Sequence, residues 1–372
     1  MARGLAAGLS KKKIDTTVFT TTASNVGTVE ENACQYNVVS LPMIDLPPRS
    51  LWFHLRNSSL LSRMLEDYDI VHAVSPEMAI LFMLKKLGRP LITTLHGSHR
   101  AALKAFACSP FRSWALGDFA FNVLELPLHQ TITKWCFDRS DRVVVCSFST
   151  LAEIEMYENV DVSKATVIYN GIDFTDIGRD VKASDGKEDK EKKPTMIYAG
   201  RLFWMKGIPY VLKAFERVKK DVKEARLRIF GKGPMEKEVK RFRKQKHLQD
   251  DIFLGGFLPH RELMKEIRMA DVVVFPSLYE SQPMFALEAM ACKKPLVAFS
   301  LPYAREIIKD GHNGLLAQAY DVEDLSSKIA LALQDKELRF RLGEKGYEYV
   351  EENHNWDIQV NKYLQLYKET IN

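Results

Sequence analysis

The sequence predicts an α/β protein with two domains, each built around a doubly wound parallel sheet. Two observations favour this class: short apolar runs alternate with segments of helical spacing, and the runs are apolar throughout, as in strands buried on both faces. The chain has 372 residues, enough for two domains of about 150 residues each. Its composition, 46% hydrophobic and 27% charged, is that of a globular protein and excludes a disordered or collagen-like chain.

The second half of the chain shows the alternation most clearly. Predicted strands occupy residues 195–199, 227–230, 251–254, 271–275 and 296–299. Predicted helices lie at 208–220, 235–247, 261–269 and 284–292. Strands that alternate with helices of this length are typical of a parallel sheet, whose ligands bind beyond the carboxyl ends of the strands.

The first half repeats the pattern less regularly. Its predicted strands lie at 16–21, 38–41, 70–73, 91–95, 142–146 and 166–169, and residues 1–13 are predicted to form a helix. Residues 184–194 are almost all charged and cannot bury apolar surface. We therefore predict a linker or loop at 179–192, between an N-terminal domain at 1–178 and a C-terminal domain at 193–354.

The net charge is +5, and much of the basic excess lies in residues 237–246. This segment is either a patch for nucleic acid or anionic lipid, or the solvent-exposed face of a helix. The apolar spacing around it favours the helix face. No zinc-finger or RNA-recognition motif accompanies the segment, so we predict no nucleic-acid partner.

The remaining composition limits the cellular setting and the cofactors. Five cysteines without a C-x-x-C pair favour reduced thiols in a cytoplasmic protein over a disulfide or zinc framework. No cluster of histidine and cysteine indicates a metal, and no cofactor is predicted. No apolar stretch reaches the ~20 residues that cross a bilayer, and no secretory signal is visible at the N-terminus.

A loop after the predicted strand 195–199 carries two cations between the glycines Gly200 and Gly207. Arg201 offers a planar fork of donors and Lys206 a point charge, and both suit phosphate oxygens. Gly207 opens the next helix, whose N-terminus also favours an anion. The loop indicates a diphosphate site, although a plain loop with surface cations would have the same composition.

Glycines also follow the next two predicted strands. Gly231 and Gly233 come after 227–230, and Gly255-Gly256-Phe257 comes after 251–254. Glycine lets a ligand approach the backbone, but it also occurs in any tight strand–helix turn. These turns are therefore weak indications of a ligand when taken alone.

The most specific motif spans residues 275–291. Glu280 precedes a predicted helix whose first turn is marked by Pro283. Glu288 lies about five residues into that helix, roughly 7.5 Å from its start along the axis. Free N–H groups at the helix start can receive an anion, and carboxylates accept hydrogen bonds from vicinal hydroxyls. Either glutamate alone could be an ordinary surface acid, but both lie in the most apolar part of the domain.

This Glu-x7-Glu pattern, with the Gly-Arg…Lys-Gly loop upstream, resembles the retaining glycosyltransferases of family 4, which have the two-Rossmann GT-B fold. The resemblance covers nearly all of 195–372. Weaker matches follow the family's order in the first half, at 69–73, 96–97, 141–147 and 167–173. The resemblance implies metal-independent transfer of a sugar from a nucleotide-sugar donor to an acceptor hydroxyl. It also implies a closing helix, 355–372, that packs back on the N-terminal domain.

Carried over residue by residue, the resemblance implies the roles in the site. Arg201 and Lys206 would hold the donor diphosphate, Glu280 would bind the transferred sugar, and Glu288 would bind the ribose. His96 would donate a hydrogen bond to the sugar from the other domain, whereas His72 is expected to be structural. Further donor contacts would come from Gly200, Gly231, Gly233 and Phe257, and from the backbone of Gln282, Met284 and Phe285.

Several alternatives stay open. The acceptor is a sugar, a lipid-linked molecule or a small molecule, and two other functions are a nucleotide-sugar epimerase and a non-catalytic nucleotide-sugar-binding protein. The apolar segment 105–135 forms either buried helices or a peripheral membrane contact on the cytoplasmic face.

The sequence departs from the family in two places. The family's first strand and its glycine-rich loop have no counterpart, because 1–13 already resembles the first helix and 16–21 the second strand. The expectation is a start farther upstream or a natural truncation, with two strands left unpaired. The family also commonly has glycine near Lys293, so backbone strain is expected at this helix end.

Overall fold

The structure is a computed structural model that describes residues 1–20, 27–31, 34–41, 61, 63–74, 88–108, 129–174, 177 and 193–372. The predicted linker at 179–192 and most of the apolar segment 105–135 lie outside these residues. Contacts divide the chain into two units. Unit 1 comprises Met1–Arg100, Leu124–Gly171 and Asn355–Asn372, and unit 2 comprises Ala101–Val123 and Ile172–His354.

The described elements alternate along the chain. The strands are β1 (Thr17–Thr20), β2 (Gly27–Glu31), β3 (Cys34–Ser40), β4 (Val71–Ala73), β5 (Leu91–Leu95), β6 (Arg142–Val145), β7 (Ala165–Val167), β8 (Thr195–Ala199), β9 (Arg226–Phe230), β10 (Ile252–Gly256), β11 (Val272–Phe275), β12 (Leu296–Phe299) and β13 (Leu315–Ala317). The helices are α1 (Ala2–Lys11), α2 (His99–Cys108), α3 (129–139), α4 (Phe148–Tyr157), α5 (Ile208–Asp221), α6 (Glu236–Gln245), α7 (His260–Met269), α8 (Met284–Ala291), α9 (Pro302–Ile307), α10 (Val322–Gln334), α11 (Lys336–His354) and α12 (Trp356–Ile371).

Unit 2 contains one parallel sheet with the strand order β10-β9-β8-β11-β12-β13. The five strands predicted from the second half are all confirmed. Alternate residues of β8 enter different cores: Met196 and Tyr198 belong to one, and Ile197 and Ala199 to the other. Both faces of the sheet are therefore buried under helices, which explains why the strands are apolar throughout.

All six strands are parallel, but the order in which successive strands are added to the sheet reverses at β8. The strands β9 and β10 extend the sheet on one side of β8, and β11 to β13 extend it on the other. The loops that follow β8 and β11 lie side by side at this switch point. In doubly wound sheets this is where ligands bind.

In unit 1 the described strands form two sheets, β1-β3-β2 and β4-β5-β6-β7. The antiparallel strand β2 was not predicted from the sequence. Within the described residues, β1 pairs only with β3 and β4 pairs only with β5.

The predicted N-terminal helix is confirmed as α1, which packs closely on α12 within unit 1. A Cβ atom at Gly4 would lie 2.4 Å from the Trp356 ring, and one at Gly8 would lie 2.3 Å from Val360. Leu5 of α1 and other apolar residues of the two helices form one core with strand residues of the β4–β7 sheet. The close approach of α1 and α12 therefore depends on glycine at two positions one turn apart.

The basic segment 237–246 forms the solvent face of α6, as the apolar spacing indicated. Val239 and Phe242 are buried, and the exposed cations on the other side are Lys237, Lys240, Arg241 and Lys244. Among the described residues, no helix is both long enough and apolar enough to cross a membrane.

Candidate functional site

The residues predicted to bind a ligand in unit 2 follow four neighbouring parallel strands, β8 to β11. The loops after β8 and β11 are packed backbone against backbone. Gly207 has a φ of +79°, and a Cβ atom there would lie 2.0 Å from the carbonyl oxygen of Pro276. The Leu278 N–H donates to the Met205 carbonyl at 2.8 Å. These contacts fix the two loops against each other at the switch point of the sheet.

The loop contact brings Lys206 and Glu280 together. The Lys206 Nζ lies 2.6 Å from Glu280 Oε1, and the two side chains are only 21% and 14% exposed. The Ser277 hydroxyl donates to the same oxygen at 2.7 Å. Two donors thus converge on Oε1 and hold the orientation of the carboxylate. Glu280 is therefore not an ordinary surface acid.

Ser277 was missed in the sequence. It is fully buried, and its carbonyl accepts a hydrogen bond from the Tyr303 hydroxyl at 2.5 Å. The available signal was a hydroxyl residue two positions after the end of a buried strand and three residues before Glu280. Sequence alone does not show that this hydroxyl points at the carboxylate.

Two buried tyrosines support these loops. Burial raises the pKa of Tyr198 and of Tyr303 far above the usual range, and the negative charge of Glu280 adds to both shifts. Both phenols therefore stay protonated and act as donors. The Tyr198 hydroxyl donates to the carbonyl of Arg201 at 3.2 Å.

Arg201 is exposed, and its guanidinium carbon lies 5.6 Å from the centroid of the Phe203 ring. Among the described residues not adjacent in the chain, a Cβ atom at the preceding Gly200 would meet only Tyr198 within 4 Å, with the nearest atom at 3.4 Å, and Gly200 itself is exposed. This part of the loop can therefore be approached from solvent. Arg201 and Glu280 both act electrostatically on the Tyr198 hydroxyl, which places their charges in the same neighbourhood.

Gly231 and Gly233 have a packing role that was not predicted from the sequence. A Cβ atom at Gly231 would lie 1.8 Å from the Gly200 carbonyl oxygen, and one at Gly233 would lie 2.5 Å from that of Leu202. The space left by the missing side chains is filled by the β8 loop rather than open to a ligand. These glycines position the loop that carries Arg201.

Glu288 lies on the fifth residue of α8, and its side chain is 20% exposed. Its Oε1 lies 3.0 Å from Nε2 of His260, the first residue of α7. Glu288 is therefore engaged by a side chain and is not a plain solvated acid. His260 was missed in the sequence, where its only signal was its place just after the Gly255-Gly256-Phe257 turn.

The start of α8 differs from the sequence prediction in two details. Pro283 is the N-cap residue rather than part of the first turn, and the Met284 N–H already donates to the Gln282 carbonyl at 3.0 Å. The Phe285 N–H lies in the first turn, where the helix offers no acceptor. The buried Gln282 side chain lies 3.3 Å from Nδ1 of His354. Of the expected backbone contacts to a diphosphate, Phe285 fits best.

Phe257 follows the end of β10 and is 68% exposed. The residue before it, Gly256, has a φ of +69° and turns the chain there. An exposed aromatic ring at the carboxyl edge of the sheet is available for stacking. This position agrees with a role in holding a planar group.

The two histidines singled out in the first half belong to unit 1. His96 follows β5, and its Nε2 lies 2.7 Å from the carbonyl oxygen of Val74. Because a carbonyl only accepts, Nε2 carries the proton and is engaged in this bond. The expected donation from His96 to a sugar would thus need its other ring nitrogen, in the protonated ring, or a different rotamer.

His72 has the structural role expected of it. Its Nδ1 lies 2.7 Å from the Tyr367 hydroxyl and its Nε2 lies 2.7 Å from Thr94 Oγ1. Burial, with a smaller contribution from His96, lowers the pKa of His72 to about 3. The ring is therefore neutral at physiological pH and ties β4 to α12.

Within the part of the chain that the structure describes, no three histidine, cysteine, aspartate or glutamate side chains are grouped so that they could hold a metal ion. The cations that the site offers are Arg201 and Lys206.

Comparison with protein families gives two matches that lie end to end. Residues 1–176 match the model for Glycosyltransferase Family 4, and residues 180–349 match that for Glycosyl transferases group 1. These matches favour the transferase prediction over an epimerase or a non-catalytic binding protein. They also cover both halves of the chain, including the less regular first half.

Curated relatives agree with the family matches. An uncharacterised glycosyltransferase of Methanocaldococcus jannaschii is 28% identical over 82% of this chain and 76% of its own. N-acetyl-alpha-D-glucosaminyl L-malate synthase of Bacillus anthracis is 25% identical over 91% of this chain and 82% of its own. The chain spans 60% to 76% of the length of three archaeal relatives that it matches.

Solved structures share the fold. Sucrose-phosphate synthase from Thermosynechococcus elongatus aligns with a TM-score of 0.80 at 19% identity, over 99% of this chain and 92% of its own. The Anabaena protein HepE, crystallised with UDP and glucose, aligns with a TM-score of 0.67 at 16% identity, over 90% and 86% of the two chains. Because the family models cover nearly the whole sequence and these structures share its architecture, the chain belongs to the family 4, group 1 glycosyltransferases, which have the GT-B fold.

Proposed function

We propose that this protein transfers a sugar from a nucleotide-sugar donor to an acceptor hydroxyl, with retention of the anomeric configuration and without a metal ion. The observation that carries the proposal is the contact of Lys206 with Glu280 at the switch point of the unit 2 sheet. It joins a cation suited to a phosphate and a carboxylate suited to sugar hydroxyls.

The described residues of the site contact different parts of the donor. Lys206 and Arg201 face the diphosphate and offset the negative charge that develops as it leaves. Glu280 uses Oε1 for Lys206 and Ser277 and keeps Oε2 for hydroxyls of the transferred sugar. Glu288 accepts from the ribose, and Phe257 stacks on the nucleobase.

The transfer follows from this placement. The bond from the sugar C1 to the phosphate oxygen breaks, and a bond from the acceptor oxygen to C1 forms on the same face. The acceptor proton passes to the departing phosphate oxygen. No enzyme nucleophile takes part in this scheme, and Arg201 and Lys206 supply the positive charge that the leaving group requires.

A donor screen tests the proposal first. UDP-, GDP-, ADP- and dTDP-sugars are compared by thermal shift, because a ligand that binds the native state raises its apparent stability. The donor that stabilises most is then used for turnover, and the anomeric coupling of the product is measured by NMR. Retention and an unchanged rate in EDTA are expected.

Variants test the site. Glu280→Gln and Lys206→Ala are each expected to lower the rate of transfer by about a hundredfold or more, since each removes charge placed at the reacting groups. The matched control is the exposed Lys345–Glu348 pair of α11, altered by Lys345→Ala and Glu348→Gln, which should leave the rate unchanged. Full activity in the Glu280 variant, or no stabilisation by any nucleotide sugar, would contradict the proposal.

The names of similar proteins guide the choice of probes. HepE was crystallised with UDP and glucose, and an S. aureus protein with a TM-score of 0.65 was crystallised with UDP and α-GlcNAc-glycerol. UDP-glucose and UDP-N-acetylglucosamine are therefore the first donors to test. Sugar, lipid-linked and small-molecule acceptors are compared with each of them.

A further inference from the structure

The pair formed by His260 and Glu288 joins the loop after β10 to the helix after β11. The distance from His260 Nε2 to Glu288 Oε1 is 3.0 Å. An ionised carboxylate only accepts hydrogen bonds, so Nε2 is the donor. The imidazole donates in this way whether it is neutral or protonated, provided that the proton of the neutral ring lies on Nε2.

We propose that His260 is a positioning residue for the donor's ribose, holding the Glu288 carboxylate in the orientation that accepts the vicinal 2′- and 3′-hydroxyls. This inference rests on the proposed function, in which Glu288 binds the ribose. It adds His260, from the loop after β10, to the residues that determine ribose binding, and it gives a reason for a preference for ribonucleotides.

The hydrogen-bonding capacity of the carboxylate supports this role for His260. A carboxylate offers about four lone-pair positions on its two oxygens. His260 occupies one position on Oε1, which leaves Oε2 and the remaining positions for two adjacent hydroxyls. A glutamate without this bond has three rotatable side-chain torsions to fix on binding, which lowers affinity.

Burial and exposure differ across the pair in a way that fits the proposal. The Glu288 side chain is 20% exposed, so part of it faces solvent where a ligand can reach. The His260 side chain is 54% exposed, so it contributes little to the core and can be replaced without unfolding the domain. His260 lies three residues after Phe257, so the residue that positions the ribose contact is close in the chain to the expected nucleobase contact.

The test is a comparison of ribose and deoxyribose ligands. UDP, GDP, ADP and CDP are titrated by calorimetry, and the tightest is compared with its 2′-deoxy form. In the wild type the ribonucleotide should bind about tenfold tighter, as a hydrogen bond to a charged group provides. In His260→Ala this ratio should fall to about threefold or less, while the affinity for the deoxy form stays the same.

Two further variants separate positioning from a general structural effect. His260→Gln keeps a side-chain donor and should restore most of the ribose preference. His312→Ala removes an exposed histidine before β13, at the opposite edge of the sheet, and should leave the ratio unchanged. Equal losses for both sugars in His260→Ala would overturn the proposal, because they indicate an effect on the fold or the base.

Three other outcomes also test the proposal and separate it from the proposed function. If a nucleotide binds and His260→Ala keeps the full ribose preference, His260 has no part in ribose recognition, and the proposed function is unaffected. If the wild type binds a nucleotide without preferring ribose, the assignment of Glu288 is wrong and this inference fails with it. If no nucleotide binds at all, the proposed function itself fails.

Discussion

The two units use the same kind of strand in different ways. In unit 2, six parallel strands form one sheet, and the loops at its carboxyl edge are joined by backbone contacts such as Leu278 N–H to Met205 carbonyl. In unit 1, the described strands form two sheets, and a polar group, His72, bridges β4 to α12 in the interior. Close packing of glycine backbone fixes the site loops of unit 2, whereas in unit 1 it joins two helices and is accompanied by the buried, hydrogen-bonded ring of His72.

The two units are therefore vulnerable to different changes. A continuous sheet with interlocked loops is sensitive to added volume, because the carbonyl oxygens already occupy the space beside Gly207, Gly231 and Gly233. A buried imidazole is sensitive to acid, because it can be protonated only at a large cost.

Added volume at Gly207 should break the loop contact in unit 2. In Gly207→Ala the new Cβ would lie 2.0 Å from the Pro276 carbonyl oxygen, on a residue whose φ is +79°. We expect a loss of about 3 kcal/mol in unfolding free energy, and a fall of about a hundredfold in transfer as Lys206 and Glu280 separate. Urea unfolding and initial rates measure the two effects.

The control for this change is Gly311→Ala. Gly311 also has a positive φ, +71°, but a Cβ atom there would meet no non-adjacent residue that the structure describes within 4 Å. Backbone strain alone should cost about 1 kcal/mol and leave transfer intact. If the two variants behave alike, the loop contact is not what organises the site.

Acid should weaken unit 1 through His72. The pKa of His72 is about 3 in the folded protein against 6.5 for the free group, so the unfolded state binds the proton first as the pH falls. The stability that neutral His72 contributes is complete above about pH 6.5 and is lost progressively between about pH 6.5 and about pH 3. We expect a loss of about 2 kcal/mol between about pH 6 and about pH 4.5.

Comparison with His72→Gln isolates this contribution, since glutamine retains polar atoms but does not titrate. The variant should be less stable at neutral pH and should show a shallower dependence of unfolding free energy on pH. His312→Gln, at an exposed site, should keep the wild-type slope. An unchanged slope in His72→Gln would show that other groups govern the acid sensitivity.

Removal of one hydroxyl should loosen Glu280 without disturbing the sheet. In Ser277→Ala the carboxylate keeps Lys206 but loses the 2.7 Å hydrogen bond from Ser277. We expect kcat to fall about tenfold, with a smaller change in KM for the donor. Ser326→Ala deletes a buried hydroxyl that donates to the Glu323 carbonyl, and it should change stability but not kcat.

The smallest effect is expected at Lys293, where the chain leaves α8. Lys293 has a φ of +56°, so the strain expected at this position is present. Lys293→Gly and Lys293→Ala both lose the ion pair with Glu344 and the contact with Tyr347. The glycine variant should therefore be more stable than the alanine variant by about 1 kcal/mol, measured by thermal unfolding. Equal stabilities would show that the backbone relaxes at no cost.

The unit 2 strands could be predicted because each is a short, uniformly apolar run, which is what burial on both faces requires. The strand β2 could not, because Gly27–Glu31 has two glutamates and its place depends on an antiparallel partner, β3. The spacing of apolar residues indicates which side chains are buried. Strand pairing depends instead on which other strand lies alongside, and that strand can be distant in sequence or reached through a loop.

The types of site residue were predictable, but their partners were not. Arg201, Lys206, Glu280 and Glu288 stand out by charge and spacing. The contacts from Ser277 to Glu280 and from His260 to Glu288 depend on which loops meet at the sheet edge and on side-chain direction. The packing role of Gly231 was not predictable for the same reason, since the carbonyl beside its Cβ position belongs to another loop.

The interlocked loops after β8 and β11 have a consequence for protein engineering. Their mutual position is maintained by Gly207, by the Pro276 carbonyl and by the bond from Leu278 N–H to Met205 carbonyl, none of which uses a variable side-chain group. The Phe203 side chain, which lies just before this segment and contacts Arg201, can therefore be randomised in a library while the loops keep their course. The specificity of the proposed site can then be altered while these backbone contacts stay in place.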